Sequence, residues 1–536
     1  MPRKLTITQQ AGVDLSAERE QYRASLPPDI EKIWEQSRER IGVVLSGGGA
    51  RGAHEAGVLL AFQDAQLPTH IITAASIGSI NAASYAAHSE TLVGNAESLV
   101  ESWSELTPAT VGIDWFRYML ILAGTIITSA GFGNLIWQQL RINGIYFHLI
   151  HPRLTWFALG ITGLAILFLY DQASYLGYVI KNEIGRRLWK PDRTKLIRSI
   201  LANVVVWGCV VFFLIVAQLH IAADQVLTAE HPSTYLALSL LALIAALGYF
   251  FRNRISVFSH GFLRLPFRTG LFPNFERTRF LRDHIPVAGL RKSPIRVVMA
   301  AADVTAGVEK YFTNFTVEEI AADPGADPAF FSAESMPEKD DQLLLAIIAS
   351  SAFPIVYEAV PLHGKLWTDG GIVSNQPIRP AIKLGADVLF LVMVEPRTQR
   401  RNEIKTFLDM GVRSIDMLMS QNLKRDLYTL NNVNGMCETY AEKLGLRPEQ
   451  VLLKVGHRNY RYMKAFIVEP SETLAATVLD FDGRITAPAI LQGYRDGCRA
   501  IHAYLEYLAL LPNDMSKLDV KLVPEAMPAK VRVSGP

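Results

Sequence analysis

Four apolar runs crowded into one stretch of this chain limit what the rest of it can fold into. Residues 118–137, 154–170, 199–219 and 235–251 each hold 17 to 21 predominantly apolar residues. A bilayer core of about 30 Å needs roughly 20 helical residues, or about 17 at the short end. One such run alone reads as readily as a buried helix of a large soluble fold, but four in a single insertion favour membrane spans. The connecting segments supply a second test, because Lys and Arg gather in cytoplasmic loops. Lys181, Arg186, Arg187, Lys190, Arg193, Lys195 and Arg198 lie between the second and third runs, whereas residues 220–234 hold no Lys or Arg. That alternation is the pattern of a four-span hairpin pair. Arg141 and Arg153 in the first outer loop run against it, and Gly124, Thr125, Thr128, Ser129 and Asn134 make the first run the weakest span, open to a re-entrant or interfacial reading. If one domain is continued on both sides of the insertion, the number of crossings must be even, as four is.

Composition agrees with contact to lipid. Of the 536 residues, 50% are hydrophobic and 19% charged, and the mean hydropathy is +0.18. A net charge of +2 gives no reason to expect nucleic acid as a partner. Cys209, Cys437 and Cys498 are scattered, without metal-ligand or disulfide-framework spacing. The N-terminus has early basic residues with no apolar stretch after them, so no secretory signal is expected there. The expected organisation is a charged arm over 1–39, a first domain part over 40–115, the insertion over 116–254, a second domain part over 255–511 and a loose tail over 512–536. There is no internal repeat.

The parts flanking the insertion read as α/β. Residues 41–46 form a short apolar run that ends in glycines, as a core strand does. A helix follows over 57–62 and continues beyond, then a second strand over 70–74, then helices over 76–87 and near 92–103. Strand, helix, strand implies a parallel sheet. After the insertion, residues 294–301 and 386–394 read as buried strands, 343–351 as an apolar helix, and 403–430 and 489–507 as amphipathic helices.

Between the first strand and its helix stands Ser46-Gly47-Gly48-Gly49-Ala50-Arg51-Gly52. Glycines let backbone approach a ligand closely, and a helix start offers N–H groups and a positive dipole end to negative charge. Gly47, Gly49 and Gly52 even satisfy the spacing of a dinucleotide-binding turn. That turn expects an acidic residue about 20 positions later, near the end of the next strand. The strand ends on Ser76 instead. Ala74-Ala75-Ser76-Ile77-Gly78 has the small flanking residues that a serine needs to stand out from a sharp strand-to-helix turn, with Ala74 where a first glycine is usual. By itself such a serine reads as a helix cap; behind a triple-glycine turn in a βαβ unit it reads as a nucleophile. Its hydroxyl needs a base. His54, His220, His260 and His363 have no second catalytic cue around them. Asp369 lies in Trp367-Thr368-Asp369-Gly370-Gly371, where two glycines leave the carboxylate uncrowded, although Asp-Gly-Gly in isolation reads as a turn.

Taken in order, these three elements resemble the patatin-like phospholipase family: the glycine-rich oxyanion loop at 46–52, the serine elbow at 74–78 and the Asp-Gly-Gly motif at 369–371. Ala349-Ser350-Ser351-Ala352-Phe353-Pro354, residues 371–377, Leu479-Asp480-Phe481 and Gly493-Tyr494 also look like the family's pattern. The resemblance covers about residues 40–105 and 265–505 and departs from the pattern at Ala74. It implies a three-layer α/β/α domain with a mostly parallel sheet, interrupted by an all-α transmembrane insertion. It further implies hydrolysis of fatty acyl esters of membrane (phospho)lipids by a Ser76–Asp369 dyad, with neither metal nor cofactor. Gly47, Gly48 and Gly49 would form the oxyanion hole, and Gly52, Gly78, Gly370 and Gly371 would complete the motifs. Arg51 either orients a phosphate or is simply solvated. Arg252, Arg254, Arg264, Arg268, Arg277, Arg279 and Arg282 follow the last apolar run and are expected near anionic headgroups. The expected setting is a multi-pass integral membrane protein, an inner-membrane one in a bacterium, with the catalytic part cytoplasmic. A lipid transacylase and a catalytically silent lipid-binding scaffold are the alternatives.

Overall fold

The computed structural model describes residues 15–113 except 109, 269–396 except 273, 324, 332–336 and 338, 407–510 except 456 and 457, and 521–523, with a few helical residues between 123 and 163. The chain divides into two compact units, one made of Met1–Ile113 with Phe267–Pro536 and the other of Asp114–Pro266. The first unit is described below.

Its centre is an eight-stranded sheet. The strands are β1 (Ile41–Leu45), β2 (Ile71–Ala75), β3 (Arg296–Asp303), β4 (Val308–Thr313), β5 (Val360–Leu362), β6 (Lys365–Asp369), β7 (Val388–Val392) and β8 (Lys464–Val468). They lie in the order β8-β7-β1-β2-β3-β6-β5, with β4 paired to β3. The first five neighbours are parallel. The sheet is mixed: β4 and β6 run antiparallel to β3, while β5, antiparallel to β6, points the same way as the parallel strands, so six of the eight strands share one direction and the expected mostly parallel sheet is interrupted at one end. Short connections cause this: His363 and Gly364, with φ of 53° and 72°, form a two-residue hairpin turn, and a parallel crossover needs a dozen residues or more.

Helices cover both faces of the sheet. Leu389 and Leu391 join Val44 in a core cluster with Ile378 and Ala381 of helix Ile378–Lys383 and with Leu430 of the long helix Phe407–Leu444. Phe390, between them, packs instead against Phe62 and Tyr504, with ring centroids 5.0 and 5.5 Å away. Successive strand residues face opposite ways. Phe62 lies on helix α1 (Ala53–Asp64) and Tyr504 on helix α2 (Gly483–Leu510), which cross in close contact because Gly57, Gly493 and Gly497 leave no side chain between them. A Cβ on Gly57 would overlap the Ile490 carbonyl.

One pairing sets up everything that follows. β2 occupies one edge of β3 as far as Ala75 opposite Ala300, and β6 takes over the same edge with Asp369 opposite Ala301. The other edge belongs to β4. β2 and β6 therefore meet end to end, from opposite directions.

Several elements differ from the sequence expectation. The helix expected over 403–430 is observed over Phe407–Leu444, since Asn434 exchanges hydrogen bonds of 2.9 Å with the Met463 backbone and Cys437 and Ala441 pack against Val451 and Leu453. The helix expected from 489 begins at Gly483, with Pro488 inside it. Lys521–Val523, placed in a loose tail, is a strand parallel to Val451–Val455. The arm is anchored: Arg19 donates to Asp64 at 2.8 and 2.7 Å, and Tyr494 donates to the same carboxylate at 2.9 Å. Among the described residues no helix is long and apolar enough to cross a membrane. Apart from residues 123, 124, 126–131, 157 and 159–163, which are helical, the four apolar runs lie outside the described residues, and so does the four-span expectation.

Gly57→Ala is expected to lower the unfolding free energy by about 2 kcal/mol, since overpacking a tight contact costs about 1–3 kcal/mol. A thermal unfolding midpoint equal to that of wild type would show that the two helices are not held this closely.

Candidate active site

β1 delivers the chain into the glycine turn. Gly47 N–H donates to Asn375 Oδ1 at 2.9 Å, and Ala50 N–H donates to the Val478 carbonyl at 3.0 Å. These two bonds pin the turn at both ends. Gly48 and Gly49 between them line a cleft together with Ser76. Gly49 has φ +58°, and a Cβ there would overlap the Val478 carbonyl, so only glycine fits. Among the described residues no protein acceptor takes the Gly48 or Gly49 N–H. Of the three glycines expected to receive an oxyanion, Gly47 has its N–H taken by Asn375.

β2 ends at Ala75 and helix α3 (Ile77–Ala87) begins at Ile77, leaving Ser76 at φ 54° and ψ −128°. A non-glycine residue there is strained. Its N–H donates to the Ser350 carbonyl at 3.1 Å, which holds the turn in place. Gly78 permits the sharp start of α3, since a Cβ would come within 2.9 Å of both Leu45 Cβ and the Ser46 carbonyl. Gly52 likewise leaves room for Ile77. Ala74 is fully buried in β2, and the turn forms with that methyl in place.

Asp369 ends β6 and is fully buried. Its Oδ2 accepts the Ser76 hydroxyl at 2.5 Å, its Oδ1 accepts Gly371 N–H at 2.7 Å, and its own N–H donates to the Ala352 carbonyl at 3.0 Å. Gly370 lies against the Ala300 backbone with no space for a side chain. Burial pushes the Asp369 carboxyl up to about 6, opposed by the bonds from Ser76 and Gly371 and by the charge of Arg277. That value turns a feeble base into one matched to near-neutral pH. Among the described residues no histidine hydrogen-bonds Ser76; His54 contacts Asp496 at 2.9 Å within the core.

The cleft runs along α3 from Ser76 past Ile77 and Ile80 to Ser84 and is lined by Leu99, Trp103, Phe280, Leu281 and Phe353. Eight helical residues from Ser76 to Ser84 amount to about 12 Å at about 1.5 Å per residue. An apolar slot leading away from a serine hydroxyl suits a chain of methylenes. Arg51 does not line it; the guanidinium pairs with Glu395. Arg277, expected at headgroups, is 4% exposed and lines the cleft, and Arg252, Arg254, Arg264 and Arg268 lie outside the described residues.

A family model described as a patatin-like phospholipase matches residues 43–203 and 223–382, more than half of the chain. The matched stretches include Gly47, Gly48, Gly49, Ser76 and Asp369. No curated protein matches. Among solved structures, VipD from Legionella pneumophila is similar at 14% identity with a TM-score of 0.30, over 87% of this chain and 67% of that one, a score too low to establish a common fold.

Sequence reasoning missed Glu55 and Asn81, which carry no motif and are recognisable only once folded. Glu55 is fully buried; it accepts Ser46 N–H at 2.8 Å and Asn81 Nδ2 at 2.9 Å, and Asn81 accepts Trp103 Nε1 at 3.0 Å. This chain of bonds ties the glycine turn to α3 and to the cleft wall. Burial pushes the Glu55 carboxyl up to about 8. Above about pH 5 the unfolded chain has released this proton and the folded chain has not, so stability falls with rising pH until about pH 8, by up to about 1.4 kcal/mol per unit. Glu55→Gln removes this contribution, and unfolding midpoints between about pH 5 and 8 should decline less steeply than in wild type. Parallel declines would overturn the assignment of a neutral buried acid.

Proposed function

This chain belongs to the patatin-like phospholipase family, and from that premise we propose that it is a lipid acyl hydrolase working through a Ser76–Asp369 dyad and an acyl-enzyme. The observation that carries the reading is the 2.5 Å hydrogen bond from the Ser76 hydroxyl to a buried aspartate, made from a strained strand-to-helix turn that opens on an apolar cleft.

In the first step Ser76 Oγ bonds to the ester carbonyl carbon while its proton passes to Asp369 Oδ2. The developing oxyanion is received by the Gly48 and Gly49 N–H groups, an arrangement in which a single donor is worth about 3–4 kcal/mol. Collapse breaks the bond to the alcohol oxygen, which leaves with the proton held by Asp369. Water then attacks the acyl-enzyme, gives its proton to Asp369, and releases the fatty acid as the serine is re-protonated. The acyl chain lies in the cleft along α3. Membrane lipids are the proposed substrates, and the four apolar runs would anchor the enzyme in the bilayer with its catalytic part on the cytoplasmic side. The elbow backbone formed with Ala74 in place favours an active enzyme over a silent scaffold.

A fluorophosphonate probe tests the nucleophile. Labelling should be lost in Ser76→Ala and fall at least about a hundredfold in Asp369→Asn. Because the base must be ionised, labelling should also decline as pH drops below about 6, following the Asp369 carboxyl. Ser76-independent labelling sinks the dyad. A panel of phospholipids, lysophospholipids and neutral glycerides, run with and without an added acyl acceptor, identifies the substrate and separates hydrolase from transacylase.

A further inference from the structure

Arg277 is a buried cation with no contact salt bridge among the described residues. Among the described residues its guanidinium bonds to the Ser351 carbonyl, to the Ile348 carbonyl at 3.1 Å and to Asn274 Oδ1 at 2.6 Å, and it lies 4.0 Å from the centre of the Tyr357 ring. Among the described residues it forms no ion pair, and its buried Nε has no hydrogen-bond partner. Burying an unpaired charge is costly, so a residue kept this way needs a compensating role. Part of the compensation is visible. Ile348 and Ser351 end helix Asp340–Ser350, where the last carbonyls and the negative dipole end favour a cation.

The next residues of that turn carry the site. The Ser350 carbonyl accepts the Ser76 N–H, and the Ala352 carbonyl accepts the Asp369 N–H. Ser350 Oγ bonds to the Ala300 carbonyl and lies 2.7 Å from Ser79 Oγ. We propose that Arg277 is a positioning residue of this site: it clamps the 348–352 turn that fixes both Ser76 and Asp369, and its charge holds Asp369 in the carboxylate form. The inference rests on the dyad proposed above.

The guanidinium bonds to the Ser351 carbonyl and the Asp369 N–H to the next carbonyl, that of Ala352, so Arg277 stands beside Asp369 and is the cation that acts on its carboxyl, together with the bonds from Ser76 and Gly371. Asp369 and Tyr357 are the ionisable groups acting on Arg277. On its own helix, Phe275–His284, Arg282 lies 3.7 Å from Asp341 and His284 lies 3.2 Å from Glu105, while Glu276, Arg279 and Asp283 are not fully buried. Asp340 of the clamped helix pairs with Arg291 at 2.7 Å. Glu358 follows Tyr357, and its carbonyl accepts Asn274 Nδ2 at 2.8 Å. α3 carries no charged residue.

Three variants separate clamp from charge, read as the pH dependence of Ser76-directed fluorophosphonate labelling of full-length protein, with thermal unfolding midpoints as the check on folding. Asn274→Asp sets a carboxylate against the guanidinium, keeping the clamp at the cost of the bond to Glu358. Its acid limb should move up by about one pH unit, so that labelling falls about tenfold near pH 5 and stays within about twofold near pH 8. Arg277→Lys keeps the charge and loses the fork of donors; its acid limb should stay in place while the plateau drops about tenfold. Arg277→Gln should show both effects. An Asn274→Asp profile superimposable on wild type overturns the role of the charge, and an undiminished Arg277→Lys plateau overturns the clamp. Should neither Arg277 variant fold, Asn274→Asp still decides. Wild-type protein without Ser76-dependent labelling would overturn the dyad, and this inference with it, before any variant is compared.

Discussion

The end-to-end meeting of β2 and β6 on one edge of β3 is the constraint on which the rest of the site depends. A strand edge can be shared by two partners only if the first stops where the second begins, and here the changeover falls between Ala300 and Ala301. The last residue of β6 is then the carboxylate, and the first residue beyond β2 is the serine. Backbone pairing, rather than a flexible side-chain encounter, brings Ser76 and Asp369 to 2.5 Å across 293 positions of sequence. Each strand is held along its length, so the geometry is stiff, and stiffness lets a strained serine persist.

Small residues make the remaining approaches possible. Gly49, Gly52, Gly78 and Gly370 each stand where a Cβ would collide with backbone or with a packed side chain. Gly57, Gly493 and Gly497 do the same between α1 and α2, which fixes the helix following the glycine turn against the sheet. The glycine turn is therefore followed by a tightly packed helix pair. The cost is that these positions have little tolerance for added volume.

Around the dyad the fold buries three ionisable groups in a row of different states. Burial raises the Asp369 carboxyl to about 6 and the Glu55 carboxyl further, to about 8, and the Arg277 guanidinium lies against carbonyl oxygens and an aromatic face. Burial raises both carboxyls against the bonds that Ser76 and Gly371 give Asp369 and that Ser46 and Asn81 give Glu55, and a helix C-terminus favours the Arg277 cation. A low-dielectric site amplifies such differences.

The motifs at 46–52, 74–78 and 369–371 were legible in the sequence because glycine and small-residue demands at sharp turns are local, and local sterics leave a mark on residue type. The strands at 41–45, 71–75 and 388–392 were legible for the same reason, as continuous apolar runs buried on both faces. The antiparallel strands β4 and β6 were not, since each starts exposed or half-buried, is buried only towards its end, and owes its place to pairing with β3. Asn375 taking the Gly47 N–H, Arg51 turning to Glu395, and Arg277 lying under the site rather than at a surface were decided only by tertiary structure. A polar side chain carries no trace in sequence of which distant partner it will meet. The order of the motifs was thus a property of the sequence; which groups around them stay free, charged or neutral was settled by packing, because burial and distance set those states and neither exists before the chain has folded.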